Sequence, residues 1–255
     1  MKIEVIPCLD DNYSYLIYEE ETNTVSIVDP SEFAPCEKII KNYKKLDNIL
    51  ITHHHADHVG GNLKLKEKYN SKIFGYQKDK SRIPGIDILL YEDQIFNVGN
   101  LEVKVIFIPG HTSGHIAYYI KKENVIFTGD TLFSLGCGRV FEGSHKQMFE
   151  SLNKLKILDP KTKVYCGHEY TKKNLEFCLT FDTENSFLRE REHDINAKIK
   201  KNQPTIPTSL EEELKTNIFL RCDNIEVKQA LNQKDSSDQE IFTKLRDLKD
   251  TFRSQ

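Results

Sequence analysis

Apolar residues in the first 170 positions come in short runs that alternate with turn signals. The runs at 2–7, 13–18, 24–28, 48–51, 72–74, 101–108, 115–120, 124–127 and 163–165 are rich in Val, Ile, Tyr and Phe. Such side chains suit a pleated, half-buried surface, and these runs are predicted to be strands. Helical spacing appears between them at 33–46, 62–69 and 144–158, with Ser144 placed to cap the last. Strands and helices interleaved in this way predict a layered α/β sandwich. From Thr171 the texture changes. TKKNLEFCLTF, ENSFLREREHDINAKIKKN, LEEELKTNIFL and SDQEIFTKLRDLKDTF carry helical spacing, and Pro204 and Pro207 break the series. A domain boundary is therefore expected near 170–174, with a helical unit after it. The polar tract KDSSDQE, 234–240, reads as a loose loop.

Several predicted strands end in a turn that carries a metal-ligating side chain. ITHHHADHVGG follows the run at 48–51 and offers His53, His55, Asp57 and His58. In extended backbone, His53 and His55 project to one side, and the small Ala56 lets the chain turn so that Asp57 and His58 join them. The same grammar supplies His111 in IPGHTSGH, Asp130 in FTGDT and His168 in YCGHEY. Imidazole and carboxylate are ligands of zinc and similar ions. These donors suffice for one site of three histidines and one of Asp, His and His, with a carboxylate left to bridge. Two metals roughly 3.5–4 Å apart are a common hydrolytic arrangement. His54 points away from its neighbours and is expected to play a supporting part, as is His115. His145 and His193 read as surface residues. Cys137 reads as a packed loop thiol, and Cys166 as a neighbour of His168 that does not itself ligate. Gly136 and Gly138 in LGCGRV lack the lysine-serine ending of a phosphate loop.

Composition narrows the picture. The chain has 255 residues, 38% of them apolar, enough for a substantial core. A net charge of −3 gives no support to a nucleic-acid partner. No apolar run reaches the roughly 18–20 residues that span a bilayer, and the first residues do not read as a signal peptide. Six cysteines without a CxxC pair suggest reduced thiols, so a cytoplasmic protein is expected. No coiled-coil pattern argues for assembly, and a monomer or weak homodimer is the default.

THHHADH, GHTSGH, TGDTLF and GHEYT, in this order, resemble the metallo-β-lactamase superfamily. TGDTLFSLGCGRVFEG, Asn174-Leu175 after GHEYT, and the tail with NIFLRC and LRDLKDTF resemble glyoxalase II, the hydroxyacylglutathione hydrolases. The resemblance implies an αββα sandwich, residues 1–172, and a smaller helical glutathione-binding domain, 173–255. It implies one metal on His53, His55 and His111, a second on Asp57, His58 and His168, and Asp130 as the bridge. Asp57 and Asp130 would orient the hydroxide shared by the metals. Zinc is the first expectation, and iron and manganese suit the same ligands. Arg139, Tyr170, Arg246 and Lys249, with Asn174 a weaker candidate, would hold glutathione. Phe141 stands where relatives often carry Tyr, so one hydroxyl contact is lost. Arg139 stands where Lys is common.

The implied reaction is hydrolysis of S-D-lactoylglutathione to D-lactate and glutathione, the second step of methylglyoxal detoxification. The residues suit it. A thiol with a pKa near ~8.5 leaves without a strong general acid, and no such acid is evident. Arg246 and Lys249 lie three apart on one helical face and could meet carboxylates. The main alternative on the same scaffold is a mononuclear iron persulfide dioxygenase acting on a glutathione substrate. An RNA-processing nuclease would need a more basic surface, and a non-catalytic module would lack ligands.

Overall fold

The computed structural model describes residues 1–253. The chain forms two compact units: one contains residues 1–107 and 114–129, the other 108–113 and everything from Asp130 onward.

In the first unit, β1 (Lys2–Cys8), β2 (Asn12–Glu19) and β3 (Thr24–Val28) form an antiparallel meander. The chain then passes through α1 (Phe33–Ile40) into β4 (Asn48–Leu50), and through α2 (Ala56–Val59) and α3 (Asn62–Tyr69) into β5 (Lys72–Tyr76) and β6 (Ile88–Leu90). The strands β3, β4, β5 and β6 pair in parallel, in sequence order. A second, antiparallel set follows: β7 (Ile95–Val98), β8 (Leu101–Phe107), β9 (Ile116–Ile120) and β10 (Val125–Gly129).

Period-two alternation splits the meander's side chains between two cores. Leu16, Val25, Ile27 and Ile49 pack with Cys36 and Ile40 of α1 and Leu65 of α3. Tyr15 faces the other way, its ring 5.5 Å from Phe127 of β10. Phe74 on Phe96 and Tyr76 on Phe107, at 5.2 and 4.7 Å, continue this sheet-on-sheet packing. Every residue of β9 and β10 is buried, in keeping with their mostly apolar sequences. The predicted helix at 33–46 stops at Ile40, because Lys44 turns left-handed (φ 60°) and the Asp47 amide then bonds the Val25 carbonyl.

The second unit holds a two-stranded hairpin, β11 (Leu132–Phe133) and β12 (Gly136–Cys137), then α4 (His145–Lys156) and β13 (Lys163–Cys166). After α5 (Thr171–Phe181) and α6 (Ser186–Lys200), the short β14 (Thr208–Ser209) pairs antiparallel with β13. The helices α7 (Leu210–Thr216), α8 (Ile225–Ala230) and α9 (Asp238–Thr251) complete the unit. Ser144 caps α4 with a reciprocal bond from Gln147, as its position predicts. The 234–240 tract is less loose than its composition suggests. Ser237 caps α9 in a capping box with Glu240. All six cysteines are buried and unbridged. Among the described residues, no helix is long and apolar enough to cross a membrane.

Candidate metal centre

Asp29 organises the donors of the first unit. Its carboxylate is 2% exposed and follows β3. The Thr52 amide donates to Oδ1 at 2.8 Å, and the Thr52 hydroxyl donates to Oδ2 at 2.6 Å. The hydroxyl has then used its one proton, so its 3.1 Å contact with His53 Nδ1 is a bond donated by the ring. His58 Nδ1 donates directly to Asp29 Oδ2 at 3.0 Å. Both imidazoles thus carry their proton on Nδ1 and keep the Nε2 lone pair for coordination, the tautomer a metal ligand needs. His58 Nε2 lies 3.5 Å from Asp57 Oδ2. Two lone-pair donors facing each other at that distance call for a cation. Asp29, His53 and His58 offer ligand atoms all within 4.8 Å of one another.

The rings of His55 and His58 lie 4.7 and 4.1 Å from that of His53, crowding that neutral imidazoles tolerate and imidazolium ions would not. His115 is fully buried and stacks on His53 at 4.6 Å, a supporting position. His54 lies against the fully buried Asp79, at 3.4 Å, and Arg82, at 3.3 Å. Gly129 (φ 47°) sits where a Cβ would come within 2.5 Å of the Thr52 hydroxyl and 2.8 Å of His115, so the glycine of TGD is obligatory.

In the second unit, His111, Asp130 and His168 are each 5% exposed. His111 Nδ1 donates to the Arg139 carbonyl at 2.8 Å, and its Nε2 lies 3.4 Å from Asp130 Oδ2. His168 Nε2 approaches the same oxygen at 3.2 Å. Asp130 therefore faces two imidazoles. A Cβ on Gly138 would lie 1.8 Å from the Asp130 carbonyl oxygen, so only glycine lets the loop close on this aspartate. Buried polar groups hold that loop. The Leu135 amide donates to Glu213, and Asn217 donates to the Phe133 and Gly136 carbonyls. Glu213 is itself paired with Arg191.

Two sequence candidates for substrate contact belong to the same bracing. Asn174, 4% exposed, donates to the Ser134 carbonyl at 3.0 Å. Arg246, also 4% exposed, donates to the Cys137 carbonyl at 2.8 Å and to Asp250 at 2.9 Å. Lys249, one helical turn on, lies between the rings of Phe177 and Phe252 at 5.0 and 5.3 Å, and burial lowers its pKa to about 8. Tyr170 stacks on His168 at 4.7 Å, with the rings 6° from parallel. Arg139 is 53% exposed, reaches Asp250 at 3.2 Å and lies over the exposed Phe141 ring. His193 is exposed, and His145 is half-buried near Asp247. Burial pushes the Cys166 thiol up to about 12 and raises that of Cys137, which keeps both protonated and unsuited to ligation.

The metallo-β-lactamase superfamily model matches residues 9–168, and the model described as the hydroxyacylglutathione hydrolase C-terminus matches 169–252. A hydroxyacylglutathione hydrolase of Pelagibacter ubique (strain HTCC1062) is 50% identical, over 99% of this chain and 100% of its own length. Among solved structures, ETHE1 from Myxococcus xanthus superposes with a TM-score of 0.70 at 23% identity, over 97% of this chain and 90% of that one. TTHA1623, described in a di-iron-bound form, is 26% identical with a TM-score of 0.53, over 66% and 92% of the two chains. Fold and donors together define a divalent-metal enzyme of the metallo-β-lactamase superfamily, with mixed sheets and a helical C-terminal region. Within that superfamily the chain belongs to the hydroxyacylglutathione hydrolase family, the thioester hydrolases called glyoxalase II.

Proposed function

We propose that the chain hydrolyses S-2-hydroxyacylglutathione, S-D-lactoylglutathione foremost, to D-lactate and glutathione, using two divalent metals. His53, His55 and His111 would hold one, Asp57, His58 and His168 the other, and Asp130 both. Zinc fits the nitrogen-rich donor set, and iron and manganese suit it as well. The observation that carries this reading is the shared tautomer: His53, His58 and His111 each donate from Nδ1 to an acceptor, which keeps the Nε2 lone pair for coordination.

When bound, the metals supply a water acidified from ~15.7 toward ~7 and a Lewis acid for the thioester carbonyl. Asp57 and Asp130 orient the attacking oxygen through their carboxylates. Tyr170, held flat on His168, and Arg139 border the path of the glutathione. The product thiol, with a pKa near ~8.5, leaves as thiolate without a proton donor. S-acylglutathione carries two carboxylates and one ammonium, so cations favour it. Lys249 is proposed to meet a carboxylate directly. Arg246 and Asn174 contribute by holding the loop that carries Arg139. In this division of labour, residues 1–172 catalyse and 173–255 bind glutathione, with Arg139 and Tyr170 of the first segment bordering its path. We propose a cytoplasmic location and a monomer or weak homodimer.

Elemental analysis of the purified chain should return two equivalents of transition metal. One equivalent of iron, with O₂ consumed on a persulfide substrate, would favour the dioxygenase instead.

A further inference from the structure

Asn12 opens β2 and is 5% exposed, and nothing in the ligand set accounts for it. Its Nδ2 lies 2.9 Å from Asp57 Oδ2 and 3.2 Å from the Asp57 carbonyl oxygen. One terminal atom facing two acceptors must be the NH₂, which settles the orientation of the amide. Each N–H serves a different oxygen of the same residue. The pair therefore fixes both the carboxylate and the backbone at the head of α2. We infer that Asn12 is a positioning residue that presents the Asp57 carboxylate to the second metal, an inference that rests on the binuclear reading above.

The placement is built into the hairpin. The β1–β2 register pairs Cys8 with Asn12, so residues 9–11 form the turn. Leu9 adopts a left-handed conformation (φ 49°), rare for a bulky residue, and its amide donates to Glu32 at 2.6 Å. A turn held in this way delivers Asn12 to one position. Asp57 needs that help, because its side chain is 38% exposed and packing alone does not set a carboxylate so open to water. The oxygen that Asn12 engages is also the one 3.5 Å from His58 Nε2. Losing the amide frees the carboxylate to rotate away from its partner ligand. Partners of metal ligands typically carry about 10–100-fold in metal affinity.

The test is a zinc titration of the metal-free full chain against a chromophoric chelator, for wild type, Asn12→Ala and Asn12→Ser, with cobalt spectra alongside. The wild type is expected to bind in two steps. Both variants should weaken one step by about 10–100-fold, leave the other within about threefold, and alter the cobalt d–d bands. The metal-free melting temperature should change little. Two wild-type steps in both variants overturn the inference, as does equal weakening of both steps with a large drop in melting temperature. Should Asn12→Ala fail to fold, Asn12→Ser decides alone. A wild type that binds a single metal overturns the binuclear reading and this inference together. A wild type that binds two metals yet leaves thioesters intact sinks only the hydrolase reading, and a selectively weakened step then still supports Asn12.

Discussion

Lys249 connects burial to binding at the level of a single residue. Its ammonium sits between two phenyl rings, and burial lowers its pKa to about 8 from the usual 10.5. Between these two values the unfolded chain holds a proton that the folded chain has released. Stability from this group therefore rises with pH across that window, and below pH 8 the buried charge costs its full amount. Binding runs the other way, since the neutral amine above pH 8 no longer attracts a carboxylate. We predict that KM for the anionic thioester climbs as pH passes 8 in wild type, and that Lys249→Met starts from a raised KM and loses this dependence. Steady-state kinetics from pH 7 to about 9.5 reads both. Arg246→Ala should behave differently. It removes the donor of the buried Cys137 carbonyl and one of the two cationic partners of Asp250, so a loss of about 1–3 kcal/mol in urea unfolding should accompany any kinetic effect. Each of the seven proposed donors follows an apolar run and a turn in the sequence, which is what singles them out there. Asp29 follows the same rule after β3, but its partner His58 lies 29 residues away, and only folding reveals the bond. The resemblance proposes Arg246 and Asn174 as substrate residues, and the carbonyls they also hold, 109 and 40 residues distant, are visible only once the chain is folded.

At the level of elements, long periodic segments declare themselves and short edges do not. The helices at 62–69 and 171–181 match their predicted bounds, with about two and three turns respectively. The strands β6 and β7 are absent from the predicted set. Both lie at sheet edges with Ile88 and Ile95 exposed, and at three and four residues they are too short for an alternation to stand out. The pair β14 is two residues long and exists only because β13 lies beside it. Capping is local and was partly legible. Ser144 was evident, whereas the Ser237 box was masked by the polar tract around it. Ser237→Ala removes an acceptor for the Glu240 amide and is predicted to cost about 1 kcal/mol. That corresponds to a fall of about 2–4 °C in melting temperature for a chain of this size. An unchanged melting curve would mean that α9 does not depend on its cap.

For the whole molecule, the texture of the sequence changes at Thr171, while membership of the compact units changes at 108, 114 and 130. The second unit thus takes in His111, Asp130 and His168 as well as the helices. Linear texture reports secondary structure, and contacts distant in sequence decide which segments pack together. Metal removal is the test at this scale. A bound ion at about a thousand times its Kd stabilises by roughly 4 kcal/mol, so dialysis against a strong chelator should lower the melting temperature by several degrees and re-addition of zinc should restore it. Melting curves indifferent to chelator would mean that the donors hold nothing.

The most direct measurement of the central claim is turnover of S-D-lactoylglutathione by the zinc-loaded full chain, followed as loss of thioester absorbance with D-lactate and free thiol assayed at the end. The account predicts equimolar release of the two products, abolished by chelation and regained with metal. A fully metallated, folded chain that leaves the thioester intact would contradict it.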